Sequence, residues 1–351
     1  MKNSFLDNFK LFKKLNKNID VIIYLEFDSD WNHLSSIAGV MLKKKKILII
    51  NSGSNKFENY LNKYSNLKIL NIDRGIFRTF IFNYLNAELV ILSITDLNNS
   101  FLWKSKYVKK YIYVFHSITS THMCYKENSF DNYDILLCVG NHQLKEIRKR
   151  EEIKNLPRKK IINYFHNRID IMNSFINNNK INYDENKIII CSSWGMGSIA
   201  ENLNEKFLIP LLENNYEVFF QFHHMQLTRI KKIKINYIKL KEKYPNFNFS
   251  FDYVNIEKLS KYVTMISDWS GAATEFALGF KRRVIFINLP KKIRNKNYEM
   301  LELEPIEVFI RYKIGLVLEI DKVSQLKTYV KEIIKQQSSE EVKIYLNKIK
   351  N

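Results

Sequence analysis

Apolar runs rich in β-branched and aromatic residues recur along the chain and alternate with helix-like segments. Continuous apolar runs, rather than strict alternation with polar residues, are typical of strands that helices cover on both faces. The pattern therefore predicts βαβ units and a mostly parallel sheet. In the first half of the chain the predicted strands are 20–26, 46–51, 67–72, 88–94, 110–115 and 134–139.

Two helices are predicted within this first half. Residues 31–44 have a helical pattern between the first two strands, and a second helix follows Gly140, where Asn141 can act as its N-cap.

The pattern restarts near residue 185, after the polar run 177–186, which we interpret as a linker. The predicted strands of the second half are 187–191, 217–222, 248–253, 263–267 and 284–288. Its predicted helices are 201–215, 228–243, 256–262, one from Gly271, and two in the tail from Lys322. We therefore expect an acceptor-side α/β domain over 1–180 and a nucleotide-donor-binding α/β domain with C-terminal helices over 181–351. Two doubly wound Rossmann-like domains of this kind would face a cleft, with ligands at the carboxyl ends of the strands.

Length and composition agree with two domains, because 351 residues with 46% hydrophobic content suffice for two cores. The formal net charge of +20 indicates either a solvated basic surface or a negatively charged partner such as anionic lipid or nucleic acid. Three cysteines without CxxC spacing indicate reduced thiols. Residues 1–19 lack the apolar core of a signal peptide, and no run approaches the roughly 20 apolar residues of a membrane span. We expect a cytoplasmic protein that is soluble or peripheral to the membrane.

Two histidine-containing segments follow predicted strands. FHSITSTH, from Phe115, places His116 at a strand end, where a histidine can act as a general base. Taken alone, such a histidine more often caps a loop. FHHM, from Phe222, follows a strand of the second half and offers His223 as a donor to phosphate. The pair is a poor zinc site, because no further ligands stand at usable spacing, and we predict no metal.

The segment SDWSGAATEF, from Ser267, joins a predicted strand to a predicted helix. Ser270 and Gly271 fall at the helix start, where free N–H groups and the helix dipole favour phosphate. Asp268 and Glu275 offer carboxylates for ribose hydroxyls. An ordinary helix N-cap, with Glu275 exposed to solvent, would explain the same residues. GxxxxGK[ST], GxGxxG after the first strand and GxSxG are all absent, which argues against P-loop, NAD-dependent and serine-hydrolase sites.

With ALGFKRRVIFINLP after it, SDWSGAATEF resembles the signature of the CDP-glycerol glycerophosphotransferase family, which builds teichoic-acid-like and capsular polymers. Trp269 stands for a tyrosine of that signature, Gly271 for its second serine, and residues 281–283 for its Lys-Pro step. FHSIT is similar to the family's WHGTP-like segment, and Phe222–His223 to its second histidine. The resemblance covers roughly 110–320 and implies the GT-B fold.

The same resemblance implies metal-independent transfer of glycerol phosphate, or a similar polyol phosphate, from a CDP-linked donor to a cell-surface polymer or lipid-linked acceptor. His116 would deprotonate the acceptor hydroxyl and His223 would stabilise the donor pyrophosphate. Ser267, Ser270 and Gly271 would lie near phosphate, with Asp268 and Glu275 completing the nucleotide site. No cofactor is expected beyond this donor.

Two alternatives remain open. The first is a GT-B glycosyltransferase that uses a UDP-, GDP- or CMP-sugar in capsule or lipopolysaccharide synthesis. The second is a basic nucleic-acid-binding protein, which only the net charge suggests, since no nucleic-acid motif is present. The basic surface, especially the first fifteen residues and the 228–243 helix, is instead expected to contact the anionic inner face of the cell membrane.

Overall fold

The protein is described here from a computed structural model, which describes residues 5–54, 56–164, 167–179, 181–226, 231–252, 254–337, 340, 344 and 348. The chain divides into two compact units. One comprises Met1–His116 with Tyr125–Asn167, and the other comprises Ser117–Cys124 with Arg168–Asn351. The short segment Ser117–Cys124 therefore belongs to the second unit, although the sequence around it belongs to the first.

The first unit is built on a parallel sheet with helices between its strands. The strands are β1 (Val21–Leu25), β2 (Ile47–Asn51), β3 (Leu67–Asn71), β4 (Ala87–Leu92), β5 (Val108–Val114), β6 (Ile135–Cys138) and β7 (Lys160–Asn163). The helices are α1 (Phe5–Leu15), α2 (Asp30–Met41), α3 (Glu58–Lys63), α4 (Ile76–Phe82) and α5 (Asn141–Ile153). Every residue of β1 and β2 is buried, as their uninterrupted apolar sequences predict.

The second unit repeats this design. Its strands are β8 (Asp184–Cys191), β9 (Glu217–Gln221), β10 (Phe247–Ser250), β11 (Tyr262–Ser267), β12 (Val284–Asn288) and β13 (Gly315–Glu319). Its α-helices are α6 (Asn167–Asn179, starting at the last residue of the first unit), α7 (Ile199–Asn202), α8 (Ile209–Leu212), α9 (Lys231–Lys243), α10 (Ile256–Leu259), α11 (Gly271–Phe280), α12 (Ile306–Ile314) and α13 (Leu326–Lys335). Short 3-10 helices span Glu205–Leu208, His224–Gln226, Tyr298–Leu301 and Ile320–Gln325.

The described strands of both sheets pair in parallel and follow the same order, except that the first sheet has one more strand, β7, at its edge. The first runs β3-β2-β1-β4-β5-β6-β7 and the second β10-β9-β8-β11-β12-β13. In each, the chain winds outward in one direction, returns to the centre and winds outward in the other. Ligands of such doubly wound sheets bind at the carboxyl ends of the strands where the order reverses. Those points are β1/β4 in the first unit and β8/β11 in the second.

The predicted strands are confirmed to within a few residues, but several helix predictions are wrong. Asn141 is the first helical residue of α5 rather than its cap, and Gly140 takes the N-cap position. The predicted helix 201–215 is broken, because the Asn204 side chain accepts the Lys206 N–H and starts a new 3-10 turn. The segment 256–262 is helical only to Leu259, and Tyr262 already begins β11. Of the two predicted tail helices, α13 is present and most of the second lies outside the described residues.

The predicted linker 177–186 includes the end of α6 and the start of β8, and leaves 181–183 between them. The compact units change over at Asn167 and Arg168, and the domain boundary after residue 180 stays a prediction.

Candidate functional site

The carboxylate of Asp268 lies at the point where the strand order of the second sheet reverses. Asp268 directly follows β11, and its side chain is completely buried. Both of its oxygens accept the Ser193 backbone N–H, at 3.0 and 3.1 Å, and Oδ2 also accepts the Ile199 N–H at 2.8 Å. Burial raises the pKa of Asp268, while these N–H donors act to lower it. One carboxylate therefore ties the turn after β8 to the turn after β11.

The turn after β8, Ser192–Ser198, is a glycine-containing loop. Gly195 and Gly197 have φ of 82° and 89°, in the left-handed region that glycine adopts without strain. A Cβ on Gly197 would also lie 2.9 Å from the Pro290 carbonyl oxygen. The Ser192 hydroxyl accepts the Ala200 N–H at 3.1 Å, which fixes the start of α7. The loop keeps its path because two glycines permit it and Asp268 holds both of its ends.

The start of α11 is the predicted phosphate site. Ser270 is its N-cap, and its hydroxyl accepts the Ala272 N–H at 3.3 Å. Gly271 follows, and the Ser117 hydroxyl oxygen would lie 2.2 Å from a Cβ added there. Gly271 therefore admits the segment Ser117–Cys124 against the helix start, which a larger residue would obstruct. A recess borders Ser270 and Gly271, with Thr119 and Arg311 on its walls.

Two further predicted site residues have protein partners in the second unit. Ser267 is buried, and its hydroxyl donates to the Cys191 carbonyl of the neighbouring strand at 2.5 Å. Glu275 is also buried rather than solvated, and its Oε2 forms an ion pair with Nε of Arg168 at 2.8 Å. Direct contacts of Ser267, Asp268 and Glu275 with a ligand stay predictions.

Near Asp268 lies a group of basic and aromatic side chains that the sequence did not reveal. Lys292 Nζ lies 4.7 Å, and the Arg294 guanidinium 4.9 Å, from the centre of the Trp194 ring. Burial lowers the pKa of Lys292, Arg294 lowers it further, and Asp268 raises it. Within the described part of the chain, neither cation has a carboxylate at ion-pair distance. Two like charges therefore lie against one indole, and their mutual repulsion disfavours the charged form of Lys292.

His223, the predicted hydrogen-bond donor to phosphate, lies beside Trp194. Its ring centre is 6.1 Å from that of Trp194, and its Nδ1 accepts the Met225 N–H at 3.2 Å. With Nδ1 accepting, a neutral ring carries its proton on Nε2, which can donate to an anion. The Trp194 cluster, defined as Trp194, His223, Lys292 and Arg294, is thus drawn from the segments after β8, β9 and β12.

Trp269 and Arg311 form a structural pair next to the α11 start. The Arg311 guanidinium lies 4.0 Å from the Trp269 ring centre, and Trp269 Nε1 donates to the Leu289 carbonyl at 2.8 Å. Burial lowers the pKa of Arg311 to about 10, so it remains a cation at neutral pH. The tryptophan that replaces the signature's tyrosine therefore has a buried cation against its face.

His116, the predicted base, follows β5 in the first unit. Its ring centre lies 5.5 Å from that of His33 on α2, and it interacts electrostatically with Asp30 at the start of α2. The Asp30 Oδ2 accepts the Glu26 and Phe27 N–H groups at 2.8 and 2.9 Å. His116 therefore belongs to a polar group at the carboxyl ends of this unit's central strands.

Sequence reasoning found the residues at strand ends that carry a motif but missed Trp194, Lys292 and Arg294. A signal was present: SSWGMGS and PKKIR each follow a predicted strand, as FHHM does. Within the described residues, no group of three or more His, Cys, Asp or Glu side chains is placed to hold a metal ion. No described helix has both the length and the apolar character to cross a membrane.

Two parallel, doubly wound sheets with reversal-point sites define a GT-B fold. The chain is similar in structure to the wall teichoic acid polymerase TagF, at TM-score 0.58 and 11% identity over 98% of this chain and 91% of that one. It is similar to UDP-N-acetylglucosamine 2-epimerase from Rickettsia bellii, at TM-score 0.55 and 11% identity over 95% and 94%. The epimerase from Methanocaldococcus jannaschii gives TM-score 0.50 and 12% identity over 90% and 92%. No family model and no curated protein sequence matches the chain.

We predict that Asp268→Ala destabilises the second unit by roughly 2–6 kcal/mol, because two buried N–H groups lose their acceptor at about 1–3 kcal/mol each. Urea unfolding measures the loss. Asp252→Ala, which removes an exposed carboxylate from the same unit, should change the free energy of unfolding by less than about 0.5 kcal/mol. Equal losses in the two variants would contradict the role assigned to Asp268.

Proposed function

We propose that this protein is a transferase that moves glycerol phosphate, or a similar polyol phosphate, from a CDP-linked donor to a cell-surface polymer or lipid-linked acceptor. In such a step the acceptor oxygen attacks the donor phosphorus next to the polyol. The pyrophosphate P–O bond breaks, CMP leaves with the electron pair, and the acceptor proton passes to a base and then to solvent. Metal-independence of this step is part of the proposal.

The observation that carries the proposal is the Trp194 cluster. Lys292 and Arg294 repel each other, and Lys292 loses part of its hydration by burial. An anionic ligand with two phosphates would relieve this repulsion, and a nucleoside diphosphate is such a ligand. Lys292 of the cluster interacts electrostatically with the same Asp268 that anchors the glycine-containing loop and directly precedes the α11 start, so the cations and the helix start belong to the same side of the sheet.

The other site residues take roles consistent with this placement. His223 and the α11 start at Ser270 and Gly271 contact the phosphates. Glu275, held by Arg168, lies one turn further along the helix on the ribose side. Ser267 and Asp268 support the site from beneath through their buried hydrogen bonds. His116, in the first unit, is the base for the acceptor hydroxyl.

The structural neighbours support a nucleotide-activated donor. TagF is a wall teichoic acid polymerase by its name, and one of its structures was solved with CDPG. The epimerase neighbours are named for UDP-N-acetylglucosamine, which favours the second candidate, a GT-B glycosyltransferase with a nucleotide-sugar donor. Both candidates need the diphosphate site described above, but they differ in the nucleobase of the donor and in the group that is transferred.

We expect selective binding of CDP over UDP, GDP and CMP, measured by calorimetry. Lys292→Ala and Arg294→Ala should each weaken CDP binding roughly 10–100-fold, since hydrogen bonds to charged groups contribute about 1.5–3 kcal/mol. Lys291→Ala is the matched control, because its exposed side chain neighbours Lys292 in sequence but lies outside the cluster. Selectivity for UDP or GDP would favour the glycosyltransferase. Absence of any nucleotide binding would refute both candidates.

We also expect His116→Ala to lower transfer of polyol phosphate by about 10²–10⁴-fold, the usual contribution of a general base. Its affinity for CDP should stay unchanged, because the proposed donor site belongs to the other unit. Transfer is followed by the release of CMP from CDP-glycerol with a purified lipid-linked acceptor. Normal turnover in this variant would remove His116 from the mechanism.

We propose further that the protein works in the cytoplasm, peripheral to the inner face of the cell membrane. The formal net charge is +20, and α1 combines Lys10, Lys13 and Lys14 with an exposed Leu6, 67% of whose surface is accessible. Each basic residue near an anionic surface contributes about 1 kcal/mol. Nucleic acid remains the less favoured partner for this charge.

In vesicle co-sedimentation, the protein should bind vesicles with phosphatidylglycerol and not vesicles of phosphatidylcholine alone. Lys13→Glu with Lys14→Glu should weaken this binding at least roughly 10-fold, following the contribution of about 1 kcal/mol for each residue. Lys322→Glu with Lys331→Glu makes the same charge change on exposed positions of the second unit and should have a smaller effect. Binding that ignores lipid charge would overturn the membrane proposal.

A further inference from the structure

The segment Ser117–Cys124 packs within the second unit, although the residues on both sides of it in sequence belong to the first. One side chain holds its centre, the carboxylate of Glu307 in the first turn of α12. Oε1 of Glu307 accepts the Ser120 N–H at 2.9 Å, the Ser120 hydroxyl at 3.0 Å and the Cys124 thiol at 2.6 Å. Three donors of one segment therefore converge on one oxygen of a buried side chain.

The surroundings of this oxygen make the three hydrogen bonds costly to break. Ser120 is completely buried, so its N–H and hydroxyl would lose their acceptor away from water. Burial raises the pKa of the Cys124 thiol well above its usual range, and Glu307 raises it further, so the thiol keeps the proton that it donates. Glu307 also lies in the first turn of α12, where the helix dipole favours a negative charge.

The end of the same segment holds the loop that carries two cations of the Trp194 cluster. The Met123 carbonyl, next to Cys124 in sequence, accepts the Arg294 N–H at 2.9 Å. Cys124 also interacts electrostatically with Lys292. Because Met123 lies between Ser120 and Cys124 in sequence, a segment that Glu307 fixes at both of those residues also fixes the acceptor of the Arg294 N–H.

The beginning of the segment lies at the start of α11. The Ser117 hydroxyl occupies the space in which a Cβ on Gly271 would stand. Further along, Nε2 of the His122 ring lies 3.0 Å from the Leu303 carbonyl oxygen, which gives the segment another contact just before α12. The segment therefore contacts both parts of the predicted diphosphate site, the α11 start through Ser117 and the loop of cations through the residue after His122.

We propose that Glu307 is a positioning residue of the donor site: it fixes the segment Ser117–Cys124, which in turn holds the loop of Lys292 and Arg294 and borders the α11 start. The role in donor binding rests on the function proposed above, whereas the placement of the loop does not. Glu307 acts through the segment and needs no contact of its own with the ligand. Its contribution is the oxygen that accepts three hydrogen bonds.

Glu307→Ala and Glu307→Gln separate these hydrogen bonds from the charge. Both variants lose the negative charge, but glutamine keeps an oxygen that can accept N–H, O–H and S–H donors. In protein labelled with fluorotryptophan, the fluorine NMR signal of Trp194 reports on the cations beside its ring without any ligand, and Trp194→Phe assigns that signal. We expect the signal to move in Glu307→Ala and to keep its wild-type position in Glu307→Gln.

Glu304→Ala is the matched control, because it removes an exposed carboxylate just before α12 and should leave the Trp194 signal in place. Where Glu307→Ala does not fold, the double variant Ser120→Ala with Cys124→Ala removes two of the three donors and should move the signal instead. Equal signals in Glu307→Ala and Glu307→Gln, or a wild-type signal in the double variant, would overturn the positioning role.

Calorimetry with CDP provides the second measurement. Glu307→Ala should weaken CDP binding about 10-fold, because a loop that is correctly placed for about a tenth of the time binds correspondingly more weakly. Glu307→Gln should bind CDP as the wild-type protein does. A moved Trp194 signal with unchanged CDP affinity would overturn the role in donor binding. Absence of nucleotide binding by the wild-type protein, with the difference between the two Glu307 variants intact, would instead refute the proposed function and leave the placement of the loop standing.

Discussion

The buried carboxylate of Asp268 is the interaction on which the second unit's site depends. Its side chain is completely buried, which raises its pKa, and the N–H groups of the turn after β8 that point at it act to lower the pKa. Those same contacts hold the glycine-containing loop, which presents Trp194, and they fix the start of α7. The same carboxylate raises the pKa of Lys292. Placement of the loop and stabilisation of the nearby cation therefore have one origin.

The first unit also has a buried carboxylate that accepts backbone N–H groups, but this carboxylate comes from a different element. Asp30 lies on the helix after β1 and binds the N–H groups of its own turn, whereas Asp268 comes from β11 and binds the turn after β8. In both units the acceptor stands at the point where strand order reverses, where the diverging turns leave backbone N–H groups without partners. A carboxylate satisfies several such donors at once. In each unit the carboxylate thus stands near the predicted site residues because the turns of the fold require an acceptor for their N–H groups.

Much of this could be predicted from the sequence, and the failures have physical causes. Strands such as β1, which is apolar along its whole length, and β11, which is mostly apolar, are found from the pattern alone. The edge strands β7 and β13 are partly exposed, and β7 has only two apolar residues in its four. His116, Asp268 and Ser270 could be assigned to strand ends from the sequence because each stands in one continuous motif, and their roles stay predictions. The Trp194 cluster was missed because its members come from the ends of separate strands, and only the sheet order brings them together.

The Trp194 cluster also bears on how stability and function share the second unit. Lys292 is held where burial and Arg294 both disfavour its charge, an arrangement that lowers the stability of the ligand-free fold. In the proposed function a bound diphosphate would supply the missing negative charge, and its binding would then raise the stability of the fold by mass action. Asp268 offsets only part of this cost, because it raises the pKa of Lys292 while its oxygens accept the Ser193 and Ile199 N–H groups. The buried acid thus keeps the loop folded, and the cations remain available for a ligand.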